Sequence, residues 1–470
     1  MSRHSLSAWI GQQRVGILSY YTETGRFSLV YESDWCERAE AFPISPALPL
    51  QRPPGQTDEI HSLSVRRFFE NLLPEGKALE DAAAAHALSK ANLFGLLRWL
   101  GQESTGALRL LPEDTTPAQA VDTQRAVSYA ELSERIQDRA NRPFNVWDGR
   151  VRMSIAGYQD KLAVYRDEEQ RLYLVEGRLA STHILKPEPL NPKLARLVAN
   201  EHFCLKLAER LGLAVATVDI LRVPEPVLIV ERFDRRKQDH YVERLHAIDT
   251  CQLLDLGVSH KYERNFGSGR DVAHIREGVS FEKLFAQASN TQAEAATRMA
   301  LIRWTLLHYL IGNSDAHGKN LSFLVEPGGL RLAPAYDLVA VCVYPDIDHE
   351  LAMAIGDEFD ITKIRAFDWA DFAQRCGVER RLLVREMNRS VKTVRAQLPS
   401  LLAWSGYRDE ERIVLERIAS FALLQAKQLE SDATRVTSGE SQDTPHPKHP
   451  TLSSSSGDRP LLVDPCSITP

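Results

Sequence analysis

The chain opens with two short strand-like runs, Val15–Tyr20 and Arg26–Tyr31, on either side of Thr22–Gly25, a pattern that predicts a hairpin. The apolar spacing then lengthens to that of helices. Ser64–Asn71, Lys77–Leu88 and Asn92–Leu100 read as helical, and ENLLPEG separates the first two because Pro74 and Gly76 interrupt a helix. Pro112–Gln124 is polar and carries two prolines, which predicts a linker over residues 112–125. A helix is expected from Ser128 through Arg139.

Strand character returns next. Val151–Lys161, VRMSIAGYQDK, reads as a strand and a turn leading into a second strand at Leu162. Leu172–Val175 and Thr182–Lys186 are further strands, and Leu197–Leu211 is an amphipathic helix stopped by Gly212. The apolar, β-branched runs Val215–Leu221 and Val227–Val230 complete this strand-rich region.

From about Arg244 helices dominate. Ala247–Leu256 and Phe281–Ala288 are predicted helical, and Ala296–Ile311 is apolar nearly all round, as a buried helix should be. Gly312 ends it and the polar loop NSDAHGKN begins at once. Leu321–Val325 and Leu330–Ala333 form a predicted hairpin. Thr362–Cys376, Glu379–Leu398 and Asp409–Leu429 are the last helices, and the Ser-, Thr- and Pro-rich tail from about Ser431 is expected to be disordered.

This succession implies an α+β protein in five parts. A module over 1–111 and a linker over 112–125 precede a strand-rich region over 126–240. A helical lobe over 241–430 and a tail over 431–470 follow. At 470 residues, with 43% hydrophobic and 26% charged positions, the chain is long enough for two or three cores. The net charge of −6 gives no global bias toward nucleic acid. A local patch on the penultimate helix (Arg380, Arg381, Arg385, Arg389, Lys392, Arg395) is either a solvated face or a site for an anionic partner. The six cysteines form no CxxC pair, which speaks against a zinc site and fits reduced thiols. No apolar leader and no run of about 18 apolar residues occurs, so a cytoplasmic protein without a membrane span is expected.

The chemistry centres on His308–Asn320 and on Leu332–Leu338, LAPAYDL. Asp315 and Asn320 stand five positions apart in a polar loop behind a buried helix. Pairing of the hairpin brings residue 320 opposite 335 or 336, next to Asp337, so an amide oxygen and a carboxylate converge on one ion. Oxygen ligands of this kind suit Mg²⁺, and Asp315 is left for a substrate hydroxyl. His317 and Lys319 either hydrogen-bond phosphate or orient the loop. Upstream, Ala156 and Gly157 are small enough for backbone to approach a phosphate, although a plain hairpin turn reads the same way. Lys186 either leaves its amine in solvent or holds it over the phosphates of ATP. Glu201, on the next helix, either pairs with that lysine or is a solvated helix residue. Glu231–Phe233 sits where a hinge for adenine belongs, and Phe233 is an adenine contact or a core residue.

In order along the chain, ENLLPEG, SIAGYQDK, HILKP, NEHFCLKLA, VERFDR, NSDAHGKN and YDL resemble the motifs of the HipA family of bacterial toxin-type serine/threonine kinases, over residues 1 to about 430. The resemblance implies a two-lobed, protein-kinase-like fold with an added N-terminal α/β module and an α-rich C-terminal lobe. It implies Asp315 as catalytic base, with His317 and Lys319 beside it, and Asn320 and Asp337 as Mg²⁺ ligands. ATP would be met by a phosphate loop over Ala156, Gly157, Tyr158, Gln159, Asp160 and Lys161, and by Lys186, Glu231, Arg232, Phe233, His317, Tyr336 and Asp337. It further implies autophosphorylation of Ser154 that ejects the phosphate loop, and a HipB-like helix-turn-helix antitoxin through which DNA is reached. The substrate would be a protein, of a type such as an aminoacyl-tRNA synthetase. The alternatives are a small-molecule phosphotransferase and a DNA-associated corepressor with a vestigial kinase core.

Overall fold

The computed structural model describes residues 2–152, 159–177, 179–239 and 241–438. The expectations attached to Ser154, Ala156, Gly157 and Tyr158, and the tail beyond Ser438, lie outside these residues.

The N-terminal module is a four-stranded antiparallel sheet in the order Arg26–Tyr31, Gln13–Tyr21, Arg3–Ile10, Leu108–Pro112. Its last strand returns from the far end of the module to pair with its first, a long-range pairing that spacing does not reveal. The helix Asp58–Glu70 covers the open edge. Ser62 Oγ accepts the Phe27 N–H at 2.9 Å and His61 Nε2 accepts the Leu29 N–H at 3.3 Å, so two backbone donors of the edge strand are satisfied by side chains. That helix begins before the predicted Ser64 because Thr57 caps it, its hydroxyl accepting the Ile60 N–H.

The second sheet has six strands in the order Val218–Arg222, Pro226–Glu231, His183–Pro187, Leu162–Arg166, Leu172–Glu176, Thr123–Val127. The end of the predicted linker therefore forms an edge strand, with only Val127 of that strand buried. Alternation along Pro226–Glu231 sends Val227 and Ile229 into a small core with Leu132, Phe144 and Trp147. Leu228 and Val230 point the other way, into the large core shared with Phe203 and Leu207 of the helix Leu197–Arg210. The Glu188 carboxylate caps this helix by accepting the Leu197 and Val198 N–H groups at 3.0 and 3.2 Å.

In the helical lobe, Glu294–Ile311 is buried among Arg380–Leu402 and Asp409–Ser438. It ends at Gly312 with φ 63°, where a Cβ would lie 2.6 Å from that of Cys342. Three expectations are corrected here. Ala247–Asp249 is not helical but a strand paired with Ser322–Leu324, and only Thr250–Leu253 forms a helical turn. The reason is a capping box in which Asp249 Oδ1 accepts the Gln252 N–H and Gln252 Oε1 accepts the Asp249 N–H, so the helix cannot begin earlier. The helix predicted from Thr362 starts at Ala366, where the Arg365 N–H donates to Asp368, while Thr362 is held in a turn by Asp360. The last helix runs to Ser438, into the stretch expected to be disordered. A two-stranded ribbon, Glu350–Ile355 with Glu358–Asp360, has no counterpart in the predicted elements. Of the basic residues on Arg380–Leu402, Arg389 donates to the Leu211 carbonyl and Arg395 pairs with Glu430 through both guanidinium nitrogens. The five cysteines among the described residues are free thiols.

Candidate active site

A cleft of about 910 Å³ separates the six-stranded sheet from the loop that follows the buried helix. Lys186, on the strand beside Pro226–Glu231, reaches into it from above. Its Nζ lies 2.6 Å from Glu201 Oε1 and 2.6 Å from Asp337 Oδ1. Glu201 is 1% exposed and Lys186 is 6% exposed, so both charges depend on this pairing. Burial alone would discharge the lysine, but Asp337 and Glu201 outweigh it and hold the ammonium more firmly protonated than usual. Burial likewise opposes the charge on Asp337, and Lys186 followed by Lys161 overcomes it, keeping that carboxylate ionised. Glu201, deepest of the three, is pushed upward by burial despite Lys186.

Asp337 is held with φ 56°, a left-handed conformation uncommon outside glycine. The surrounding structure enforces it. Ala335 is bonded on both sides to Ala214 and Ala216, and Asn200 grips Ala340 through its amide donor and its side-chain oxygen at 3.0 and 2.8 Å. The preceding Tyr336 donates to the Lys319 carbonyl at 2.8 Å and stacks on Phe233 with ring centres 5.5 Å apart.

The lower wall is the loop itself. Asp315 has a 55% exposed side chain, with Tyr262 donating its hydroxyl to Oδ1 at 2.6 Å. Desolvation by the surrounding walls of the cleft raises the carboxyl above its ordinary value, and the Tyr262 hydrogen bond opposes that rise. Asn320 donates its amide to the Asp315 carbonyl at 2.8 Å, which leaves its side-chain oxygen as the remaining ligand atom. His317 is driven down to about 3 by burial and by Lys261, so its imidazole is neutral at physiological pH. Gly318 follows because a Cβ there would lie 2.5 Å from Val279.

Several residues named from sequence line this one cleft: Asp315, His317, Asn320, Asp337, Lys186 and Glu231–Phe233. Gln159 donates to the Pro187 carbonyl at 3.1 Å, Asp160 pairs with Arg139, and Lys161 lies in the field of Asp337 with its ammonium disfavoured by burial. Two side chains are engaged by other protein groups. The Arg232 guanidinium is committed to Asp234, Ser181 and the Ser104 carbonyl of the N-terminal module. Lys319 gives its ammonium to Asp249, at 2.7 Å, and to the backbone and side-chain oxygens of Asn71, both at 3.0 Å. Of the two tasks open to it, orienting the loop is the one its geometry supports. From sequence, Lys261–Arg270, KYERNFGSGR, reads only as a charged loop that either binds a substrate or is mobile, and Asn71 and Glu75 only as part of the ENLLPEG break, so no role for Lys261, Tyr262, Asn71 or Glu75 was legible.

Among the described residues no group of three His, Cys, Asp or Glu side chains is placed to hold a metal. An amide oxygen and one carboxylate do fit an ion that keeps its waters and borrows phosphate oxygens, as Mg²⁺ does.

A strand lysine paired with a helix glutamate, and an acid loop facing it across a cleft, define a protein-kinase-like phosphotransferase. Comparison with known proteins agrees. The HipA-like C-terminal domain model matches residues 153–399 and the HipA N-terminal domain model matches residues 6–111. The chain is 39% identical over 411 residues to the serine/threonine-protein kinase toxin HipA of Shewanella oneidensis, covering 87% of this chain and 91% of that one. It is 32% identical to the putative kinase Y4mE of Sinorhizobium fredii, with coverages of 88% and 96%. Its structure matches the HipA chain from the Shewanella oneidensis complex of HipA, HipB and operator DNA, with a TM-score of 0.82 at 36% identity, over 92% of this chain and 99% of that one. The chain belongs to the HipA family, and it is a serine/threonine-protein kinase. Among the described residues no helix is long and apolar enough to cross a membrane.

Proposed function

We propose that this kinase is the toxin of a toxin–antitoxin pair and transfers the γ-phosphoryl group of ATP to a serine or threonine hydroxyl of a cellular protein. The observation that carries the reading is the Glu201–Lys186–Asp337 triad standing in the same cleft as Asp315 and Asn320. Lys186 meets the α- and β-phosphates, exchanging part of its bond to Asp337 for them. Asn320 and Asp337 would hold Mg²⁺, which would supply charge to offset that on the transferred group. Asp315 accepts the proton of the attacking hydroxyl, and the Phe233–Tyr336 pair flanks the base of the nucleotide.

The kinship with a HipA found in complex with HipB and operator DNA supports a helix-turn-helix antitoxin as partner, with DNA reached through it. The family resemblance supports Ser154 as a site of self-phosphorylation and an aminoacyl-tRNA synthetase as the type of target. The test is incubation with γ-labelled ATP and Mg²⁺, alone and with cell extract. Label should reach the kinase and one extract protein, and Asp315→Asn should slow both by about 100-fold or more. Ser154→Ala should lose only self-labelling. Wild-type protein that labels neither itself nor any extract protein would overturn the reading.

A further inference from the structure

The ENLLPEG turn of the N-terminal module has no part in the chemistry described so far, yet it touches the catalytic loop at two points. Glu75 Oε2 lies 2.6 Å from Lys261 Nζ, in a pair where both side chains are about a tenth exposed. Asn71 receives Lys319 on two oxygens. Each lysine is one step from Asp315. The Lys261 carbonyl accepts the Gly318 N–H at 2.8 Å. The adjoining Tyr262 donates to Asp315 and packs edge-on against His317, with ring centres 5.1 Å apart. Lys319 belongs to the same short turn as Asn320, whose amide holds the Asp315 carbonyl.

We propose that the N-terminal module is a working part of the kinase site, with Glu75 and Asn71 as positioning residues that hold the Asp315 loop through Lys261–Tyr262 and Lys319. The physical argument is one of tolerance. Asp315 has a half-exposed side chain on an irregular loop, and such a carboxylate samples several rotamers unless it is fixed from outside. Misplacement by about 1 Å is enough to cost a reaction about 100-fold. Tyr262 supplies the fixation, and the Lys261 backbone before it helps to carry Tyr262. Glu75 anchors that backbone from another domain. Lys186, by contrast, is carried by the six-stranded sheet and is touched by none of these contacts.

The inference rests on Asp315 being the catalytic base, and the experiment keeps the two apart. Initial rates of label transfer from γ-labelled ATP are measured on full-length Glu75→Gln, Lys261→Met, the double variant, Tyr262→Phe and Asp315→Asn. Glu75→Gln should lower kcat about tenfold or more while the KM for ATP stays within about twofold. The double variant should fall little further than either single one, because both remove the same link. Tyr262→Phe, which deletes one oxygen and leaves the ring packing, should show the same split. A wild-type kcat in Glu75→Gln beside an inactive Asp315→Asn overturns the positioning role alone. Turnover in Asp315→Asn within about tenfold of the wild type overturns the base assignment and the proposal with it. A parallel loss of kcat, ATP affinity and melting temperature in both Glu75→Gln and Tyr262→Phe also overturns it, since that pattern reports general loosening.

Discussion

The two walls of the cleft are built on different principles. In the upper wall the charges answer one another: Lys186 is buried between Glu201 and Asp337, and all three lie within the kinase core. In the lower wall the catalytic side chains are neutral or half-exposed, and the cations beside them, Lys261 and Lys319, are taken up by Glu75, Asn71 and Asp249. The difference follows from what each wall must do. Groups that meet phosphate need charge ready to change partners. Groups that meet a hydroxyl need position, which here comes from a second module. The hydrophobic cores repeat the division. The outer face of the six-stranded sheet has its own small core, whereas the N-terminal module and the helical lobe share a single large one. The catalytic loop is therefore mounted on the larger body, and the nucleotide sheet presents one face to it.

The sharpest way to break this contrast is at Asp315. Asp315→Asn should reduce phosphoryl transfer by about 10²- to 10⁴-fold with ATP affinity nearly unchanged, measured by label transfer and by equilibrium nucleotide binding. Next comes Lys186→Met, which strands two carboxylates in the upper wall. It should weaken ATP binding and destabilise the fold by about 3–5 kcal/mol, read by denaturant unfolding, and Glu201→Gln in the same chain should recover part of that loss. Lys319→Met should cost about 3 kcal/mol of stability, because Asp249 loses its partner in a buried setting, yet the KM for ATP should hold. A loss of nucleotide affinity there would erase the distinction between the walls.

The smallest effect concerns acid. His202, behind the upper wall, is lowered to about 4 by burial and by Lys206, and its Nδ1 meets the Tyr407 hydroxyl. His246, where the N-terminal module meets the lower lobe, is lowered to about 4 by burial, with Nε2 at 2.8 Å from the Ile44 carbonyl. Both stay neutral in the folded chain while the unfolded chain binds protons below about 6.5. Stability from these sites is therefore complete above about pH 6.5 and drains away as the pH falls toward 4, by at most about 3 kcal/mol for each. Replacing either histidine by Gln should flatten the slope of unfolding free energy against pH over that window. An unchanged slope would mean that other groups govern the acid limb.

Local grammar made much of the molecule legible. The apolar run Leu301–Leu310 followed by Gly312 announced a buried helix opening onto a polar loop, because only glycine takes the left-handed cap without cost. The Ser322–Glu326 hairpin announced the approach of YDL to NSDAHGKN, because the spacing of an antiparallel pair follows from its turn. Lys186 and Glu201 were legible as candidates, though their pairing was one reading of two. The misreadings were of another kind. Ala247–Asp249 reads as helix and became a strand because Ser322–Leu324 needed a partner on its open side. The partners of the Arg232 guanidinium, Asp234 and the Ser104 carbonyl of the N-terminal module, were likewise beyond any local pattern.

The sequence by itself therefore determined the class of chemistry: which residue types stand in which order, and that an Asp, an Asn and a second Asp follow a strand lysine. Their spacing along strand, helix and hairpin is a local matter, and local periods carry it. Only the tertiary structure decided which partner each of the charged groups meets. Lys186 and Lys319 are alike in composition and in burial. What separates them is the partner each meets, Asp337 from 151 residues away and Asn71 from 248. Pairings over such distances are set by how whole modules pack, and no local pattern records them.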